Sequence, residues 1–226
     1  MTGAVRLDLH VHSLHSVDSR TPVERYAGRM AVAQVEGFAL TDHNSIEGHR
    51  SLEALHVAYP RAILIPGVEV STREGHLLGY GLDEMPPVGA PIAMTIDWIQ
   101  RHGGVAVLAH PFRWAHGAGR RVAEAAAVPA IEAVNGHNGA RANALANEVA
   151  LRRGLGTCGG SDCHDPRRFA SAVTEFPEAV RTVAEALDAL RQGRCRAAGR
   201  SLSSGERVAL GFATFARRVA RGFHPI

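Results

Sequence analysis

The chain contains no lysine: all 25 of its basic residues are arginine. That absence excludes a Schiff-base lysine, and with it pyridoxal-phosphate and lysine-aldolase chemistry. It also excludes a P-loop, whose phosphate cradle needs a Gly-Lys-Ser/Thr step. Cysteine is scarce; Cys158, Cys163 and Cys195 are too few, and odd in number, for a disulfide framework. Aromatic residues make up 5% of the chain, which leaves little material for the stacking platforms of single-strand binders. No apolar run approaches the roughly 18 residues of a membrane span. The first six residues open no secretory apolar segment, so the expectation is a cytoplasmic chain. At 226 residues, 46% apolar and 21% charged, the composition is that of one ordinary globular domain.

Histidine is what the chain has in excess: 13, against 12 for Phe, Tyr and Trp together. Histidine is the commonest metal ligand and the usual general base, but only spacing can argue a site. Charge is unevenly placed. Residues 191–226 hold eight Arg and one acid, a balance of +7, whereas residues 1–190 hold 17 Arg and 21 acids, a balance of −4.

Short apolar runs alternate with helical stretches. In Val5–His12, Val5, Leu7, Leu9 and Val11 fall on one face of a strand and Asp8, His10 and His12 on the other. Thr21-Pro22-Val23-Glu24 reads as a capping box opening a helix to about Val35, with Gly37 as its stop. Phe38–Leu40 is a second strand, and Ser45 caps a helix that ends before Pro60. Further strands are expected at 62–65, 76–80, 105–109, 131–134 and 155–158, and helices at 92–101, 140–153 and 178–192. Roughly seven strands separated by helices argue for parallel βα units, in an α/β barrel or an open doubly wound sheet.

The reactive residues fall at strand ends. His10 and His12 end the first, Asp42-His43 the second, and Glu69 follows the third. His110 ends the 105–109 strand, and Asp162 and His164 follow the 155–158 strand. Active sites of parallel α/β folds are assembled at the carboxyl ends of the strands. His-x-His on a strand directs both imidazoles to one face, where they can share an ion, and Asp162-x-His164 repeats that spacing. Imidazoles mixed with carboxylates suit zinc, manganese or iron. His10, His12, Asp18, His43, Glu69, His76, His110, Asp162 and His164 are more ligands than one tetrahedral ion can take. The reading is a multinuclear site of two or three divalent ions.

Five motifs, Asp8-Leu9-His10-Val11-His12-Ser13, Thr41-Asp42-His43-Asn44, Gly67-Val68-Glu69-Val70-Ser71, Ala109-His110-Pro111 and Gly160-Ser161-Asp162-Cys163-His164, resemble in residue type and order the PHP (polymerase and histidinol phosphatase) superfamily. The resemblance covers about residues 7–165. It implies a distorted seven-stranded (β/α) PHP barrel over residues 1–199, with the metal cluster at its carboxyl rim. It further implies that His10, His12, Glu69 and Asp162 hold one ion, that Glu69 bridges to a second held with His76 and His110, and that Asp18, His43 and His164 hold a third. His137 competes for the place of His76. Asp42 is expected to orient its neighbour His43.

The reaction expected is hydrolysis of a phosphoester by a hydroxide made available through the metal, whose bound water can have a pKa near 7. Arg113 is the first candidate for neutralising the phosphate; Arg20 and Arg167-Arg168 are weaker ones. A phosphorylated small molecule or nucleotide is the expected substrate. Exonuclease or oligonucleotide phosphodiesterase action is second, and a non-catalytic metal-binding regulatory domain third. A cysteine hydrolase at Cys163 is disfavoured, because that residue should face away from His164. The stretch 117–128, with Arg120-Arg121, is expected to border the pocket. In residues 200–226, Val208, Phe212, Phe215 and Val219 form a helical stripe opposite Arg207, Arg218 and Arg221. That pattern fits a helix packed on the barrel, or one at a membrane surface.

Overall fold

The computed structural model describes residues 4–176, 180–203 and 205–206. Among these, nine strands form one sheet: β1 (Val5–Val11), β2 (Gly37–Leu40), β3 (Ile63–Ser71), β4 (His76–Tyr80), β5 (Val105–Leu108), β6 (Ala130–Asn135), β7 (Gly156–Gly160), β8 (Ala172–Phe176) and β9 (Arg196–Gly199). The helices are α1 (Glu24–Ala27), α2 (Met30–Ala33), α3 (His49–Ala58), α4 (Ile92–Arg101), α5 (Gly119–Ala125), α6 (Ala140–Arg152) and α7 (Val183–Arg191). No helix among the described residues is long and apolar enough to cross a membrane.

The strand order is β7-β6-β5-β4-β3-β2-β1-β8-β9. The sheet curls until its end meets its beginning. Residues following β7 lie against β1, with Asp162 N–H donating to the His10 carbonyl at 2.7 Å and His12 N–H to the Cys163 carbonyl at 3.0 Å. Gly160 makes that approach possible, since a Cβ there would lie 2.3 Å from the His10 Cβ.

This is an α/β barrel, but not a regular seven-stranded one. The link from β3 to β4 is only residues 72–75, where both the Thr72 amide and hydroxyl donate to the Gly75 carbonyl. So short a link permits an antiparallel hairpin and no helical crossover. β4 therefore runs opposite to β3 and β5, and the start of β4 lies at the rim where β3 ends. β8 and β9 are additional antiparallel strands, β8 on the first half of β1 and β9 on β8.

The inner core draws Leu7, Leu9, Ala39, Ile65, Tyr80, Val107, Cys158 and Phe176 from seven of the strands and is plugged by Ala186, Ala189 and Leu190 of α7. Two outer cores lie beneath the helices: one joins β4–β6 to α4, α5 and α6, the other joins the flank of β1–β2 to α1, α2 and α3. Strand β1 departs from simple alternation. Leu7 and Leu9 enter the inner core, yet Val11 enters the outer one, because the register with β2 shifts between Asp8 and Val11. A bulge of this kind re-aims side chains, and here it turns His10 and His12 inward above Leu7 and Leu9.

Four local expectations are corrected. The helix expected over 21–35 breaks into the one-turn α1 and α2, with Gln34 in the left-handed region at φ 55° as the actual stop. Thr21 caps neither, because its hydroxyl donates to the His164 carbonyl at 2.9 Å. Gly37 instead opens β2, where a Cβ would meet the Ile63 carbonyl oxygen at 1.9 Å. The helix after Ser45 starts later, with Gly48 at its N-cap and no side-chain cap. A capping box forms instead at Thr182 and Glu185, where α7 begins. Residues 200–203 stay against the body, with Leu202 N–H donating to the Asn138 carbonyl at 2.8 Å. The amphipathic stripe from Val208 onward lies outside the described residues.

Candidate metal centre

Glu69 is the hub of the rim. It stands on the inward face of β3, follows Ile63 and Ile65 at the strand period, and is 1% exposed. Five imidazoles surround its carboxylate. On Oε2 are His10 Nε2 at 3.0 Å, His12 Nε2 at 3.2 Å and His43 Nδ1 at 3.2 Å. On Oε1 are His76 Nδ1 at 2.7 Å and His110 Nε2 at 2.8 Å. These rings arrive from β1, the β2 end, the β4 start and the β5 end, so the hairpin that breaks the parallel pattern is also what brings His76 in.

Asp162 closes the other side, its Oδ1 lying 3.3 Å from His12 Nε2 and 3.7 Å from His10 Nε2. Asp18 forms a third focus, its Oδ2 at 2.7 Å from His164 Nε2 and 3.5 Å from His43 Nε2. Ligand atoms cluster within 4.8 Å of one another in His10/His12/Glu69/Asp162, in His12/Asp18/His43/His164 and in His43/Glu69/His76. All nine expected ligands thus meet at one rim. His137 meets Asp162 and His164 in a further group instead of replacing His76.

The chemistry of the cluster calls for a cation. His12 Nε2 is buried without a hydrogen-bond partner, although two carboxylate oxygens face it. Burial opposes a proton on His12, but the Asp162 and Glu69 carboxylates outweigh it and hold the imidazole up at about 10. Glu69 is held well below the usual carboxylate range: burial would raise it, but the His43, His10 and His76 imidazoles prevail. Asp162 is depressed likewise, against burial, by the Arg113 guanidinium and His10. His110, by contrast, is pushed down to about 4 by burial and by Arg113. Imidazole nitrogens and ionised carboxylates converging across 2.7–3.3 Å are the donors that divalent cations take once the ring protons leave, so the donor set suits the ions that its residue types imply.

The surrounding residues fix those donors. Glu132, buried on β6, accepts from His10 Nδ1 at 2.9 Å and from the His110 backbone N–H at 2.8 Å. That leaves His10 Nε2 to face Glu69, the outer-shell arrangement that sets a ligating histidine's tautomer. Asn135 donates to Asp162 and to Glu132, both at 3.1 Å. Neither residue was among the expected site residues. For Glu132 a signal was present, since it is the one charged residue of β6. His110 and Asp162 both lie at positive φ, 23° and 54°, backbone strain of the kind that concentrates at functional sites.

Two expectations need restating. Asp42 does not orient His43; its carboxylate accepts from the Ser13 amide and, at 2.7 Å, from the Ser13 hydroxyl, tying β2's end to β1's. Arg113 does reach the site, but its guanidinium is shared among Asp162, Asn135 and Asn138, and a quarter of its side chain is exposed. Arg20 is exposed, and Arg167 is exposed and paired with Asp165. Arg168 donates to the Gly136 carbonyl. Arg120 is taken by Glu124 and Glu148 on the helix side. Cys163 packs in the outer core, facing away from His164 as expected.

Residues 140–195 match the family described as PHP-associated. An uncharacterised protein of Methanocaldococcus jannaschii, MJ1587, is 31% identical over 118 residues, 48% of this chain and 68% of that protein. A two-domain protein from Bacteroides vulgatus, containing a predicted PHP-like metal-dependent phosphoesterase, superposes with a TM-score of 0.73 at 17% identity. The chain belongs to the PHP superfamily. The superposition takes in 87% of this chain and 65% of the Bacteroides protein, so this PHP chain spans about two thirds of that larger molecule. The lesion-specific endonuclease PfuEndoQ from Pyrococcus furiosus shares the fold at a TM-score of 0.63 and 15% identity, over 86% of this chain and 57% of its own.

Proposed function

We propose that this PHP chain is a metal-dependent phosphoesterase acting on a phosphorylated small molecule or nucleotide, with two or three divalent ions at the rim. The observation that carries the reading is the set of five imidazoles on the single buried carboxylate of Glu69. Zinc, manganese and iron all suit this donor set. His10, His12, Glu69 and Asp162 would hold one ion, Glu69 with His76 and His110 a second, and Asp18, His43 and His164 a third.

When bound, the ions would supply Lewis acidity and a nucleophile at neutral pH. The chain's own residues do the rest. Glu132 holds His10 in one tautomer, and Asn135 fixes the Asp162 carboxylate. Arg113, partly open to solvent and already at the Asp162 edge, is placed to take non-bridging phosphate oxygens with its remaining N–H groups. The closed inner core beneath the rim keeps water from entering from below.

The test is phosphate release from nucleotides, sugar phosphates and short oligonucleotides, with added manganese and with chelator. The expected result is release that chelator abolishes and that Asp162→Ala loses. No release from any substrate by a fully metallated protein would leave a non-catalytic metal-binding domain.

A second reading, nuclease action, has one structural feature in its favour. A surface groove of about 570 Å³ beside the rim is lined by Arg25, Arg29 and Arg167, together with Glu24 and Asp165. Phosphate contacts by such arginines dominate nucleic-acid affinity. Preferential cleavage of oligonucleotides in the same panel would select this reading.

A further inference from the structure

Below the rim cluster, toward the start of β7, Cys158 and Cys195 bring their sulfurs to 3.7 Å of each other, 37 residues apart in sequence. Both thiols are free. Cys158 is buried in the inner core, and Cys195 packs against that core from the segment leading into β9. The approach is built in. Gly156 supplies the space, since a Cβ there would lie 2.8 Å from the Cys195 Sγ. The segment is pinned to β7 at the thiol and just after it, Thr157 N–H donating to the Cys195 carbonyl at 3.4 Å and Ala197 N–H to the Thr157 hydroxyl at 3.0 Å. The third cysteine, Cys163, belongs to a different, outer core.

Access is also one-sided. Cys195 is partly exposed and lines a cavity of about 390 Å³ with Ala4, Glu175, Gly193, Arg194 and Arg196. The Glu175 carboxylate is engaged by Arg196 at 2.6 Å. Of the two thiols only Cys195 is open to solvent, where a small oxidant can reach it. Cys158 is closed off in the core, its thiol held well above the ordinary value by the neighbouring sulfur and by burial, so the accessible Cys195 meets the oxidant and Cys158 is the resolving group.

We infer that Cys158 and Cys195 form a redox-active dithiol, a modification site separate from the metal centre, which hydrogen peroxide converts to an intramolecular disulfide. In the first step the Cys195 thiolate attacks a peroxide oxygen, breaking the O–O bond to give a sulfenic acid and hydroxide. In the second the Cys158 sulfur attacks the Cys195 sulfur, the S–O bond breaks, and the departing oxygen leaves as water with the Cys158 proton. Two thiols lose two electrons in all, and one peroxide is reduced to two waters. The sulfurs need to close from 3.7 Å to a bond of about 2.05 Å, a movement the partly exposed Cys195 side can supply.

The experiment treats the full chain with hydrogen peroxide, denatures it, alkylates free thiols and maps peptides without reduction. The expected result is a single alkylated residue, Cys163, and a linked 158/195 peptide pair lighter by the two hydrogens lost. Dithiothreitol should restore all three thiols, and Cys195→Ser should abolish the link while Cys163 stays reduced. Three alkylatable cysteines after peroxide, a Cys195 oxidised without linkage, or bonds through Cys163 or between chains would each overturn the proposal. Because Cys195 is at the surface side of the pair, its serine variant keeps the test independent of any folding defect at Cys158.

Discussion

The first half of β1 and the residues that end it are neighbours in sequence and differ in almost every physical respect. Around Val5–Leu7 the strand pairs antiparallel with β8 and sends Leu7 into the inner core. Around His10–His12 it pairs with residues after β7, and its side chains are imidazoles among buried carboxylates. Burying Leu7 removes apolar surface from water and stabilises the fold by about 1.5–3 kcal/mol. The rim differs: the burial of its acids and the positive φ of His110 and Asp162 oppose folding, and for Glu69 it is the surrounding imidazoles that offset the cost of burial. One strand therefore contains both a stabilising element and a binding element, and the bulge between Asp8 and Val11 is the hinge that separates them.

Substitutions at the two ends should separate activity from stability. The largest effect is expected from His43→Asn, which removes an imidazole shared by the Glu69 and Asp18 foci. Phosphoesterase activity should fall by more than the roughly 10–100-fold typical of outer-shell changes, while the melting temperature measured by calorimetry moves little. Leu7→Ala should show the opposite pattern: a loss of about 2–5 kcal/mol in denaturant unfolding, with activity per folded molecule and metal content unchanged. Equal losses of stability from both variants would break the division.

Glu132→Gln sharpens the comparison, because Glu132 contacts ligands without being one of the expected nine. Metal affinity measured by competition with a chromophoric chelator should weaken by about 10–100-fold. Smaller still is the protonic signature of loading. In the metal-free protein the His12 imidazole keeps its proton up to about pH 10, and an ion needs the lone pair that this proton occupies. Loading at neutral pH should therefore release a proton, and apparent affinity should rise with pH through the neutral range. Manganese titration in weak buffer reads this directly, and a His12→Gln variant should release less.

The rim was legible in the sequence because metal ligation is a demand on residue type at strand ends. His10 with His12 and Asp162 with His164 announce themselves by spacing, and Glu69 and His110 by their place at strand ends. What was not legible depended on backbone irregularity or on distant partners. The short link at 72–75 does not by itself reveal that β4 turns back, nor does alternation reveal the bulge that puts His10 above Leu9. β9 is short and half-exposed, with no apolar run to mark it. Asp42 was misread because its partner, Ser13, is 29 residues away, whereas the sequence offered only the adjacent His43. Glu132 was overlooked because a lone acid in an apolar strand was not weighed as a partner for imidazoles from β1.

Metal content is the measurement that bears most directly on the central claim, that the Glu69 carboxylate and its five imidazoles are a multinuclear metal centre. The protein would be reconstituted with manganese, desalted and analysed by elemental mass spectrometry beside Glu69→Ala. Two or more ions per wild-type chain, and a loss of the shared ions in the variant, are the predicted result. A wild-type chain that retains no ion, or a variant that retains as many as the wild type, would contradict it.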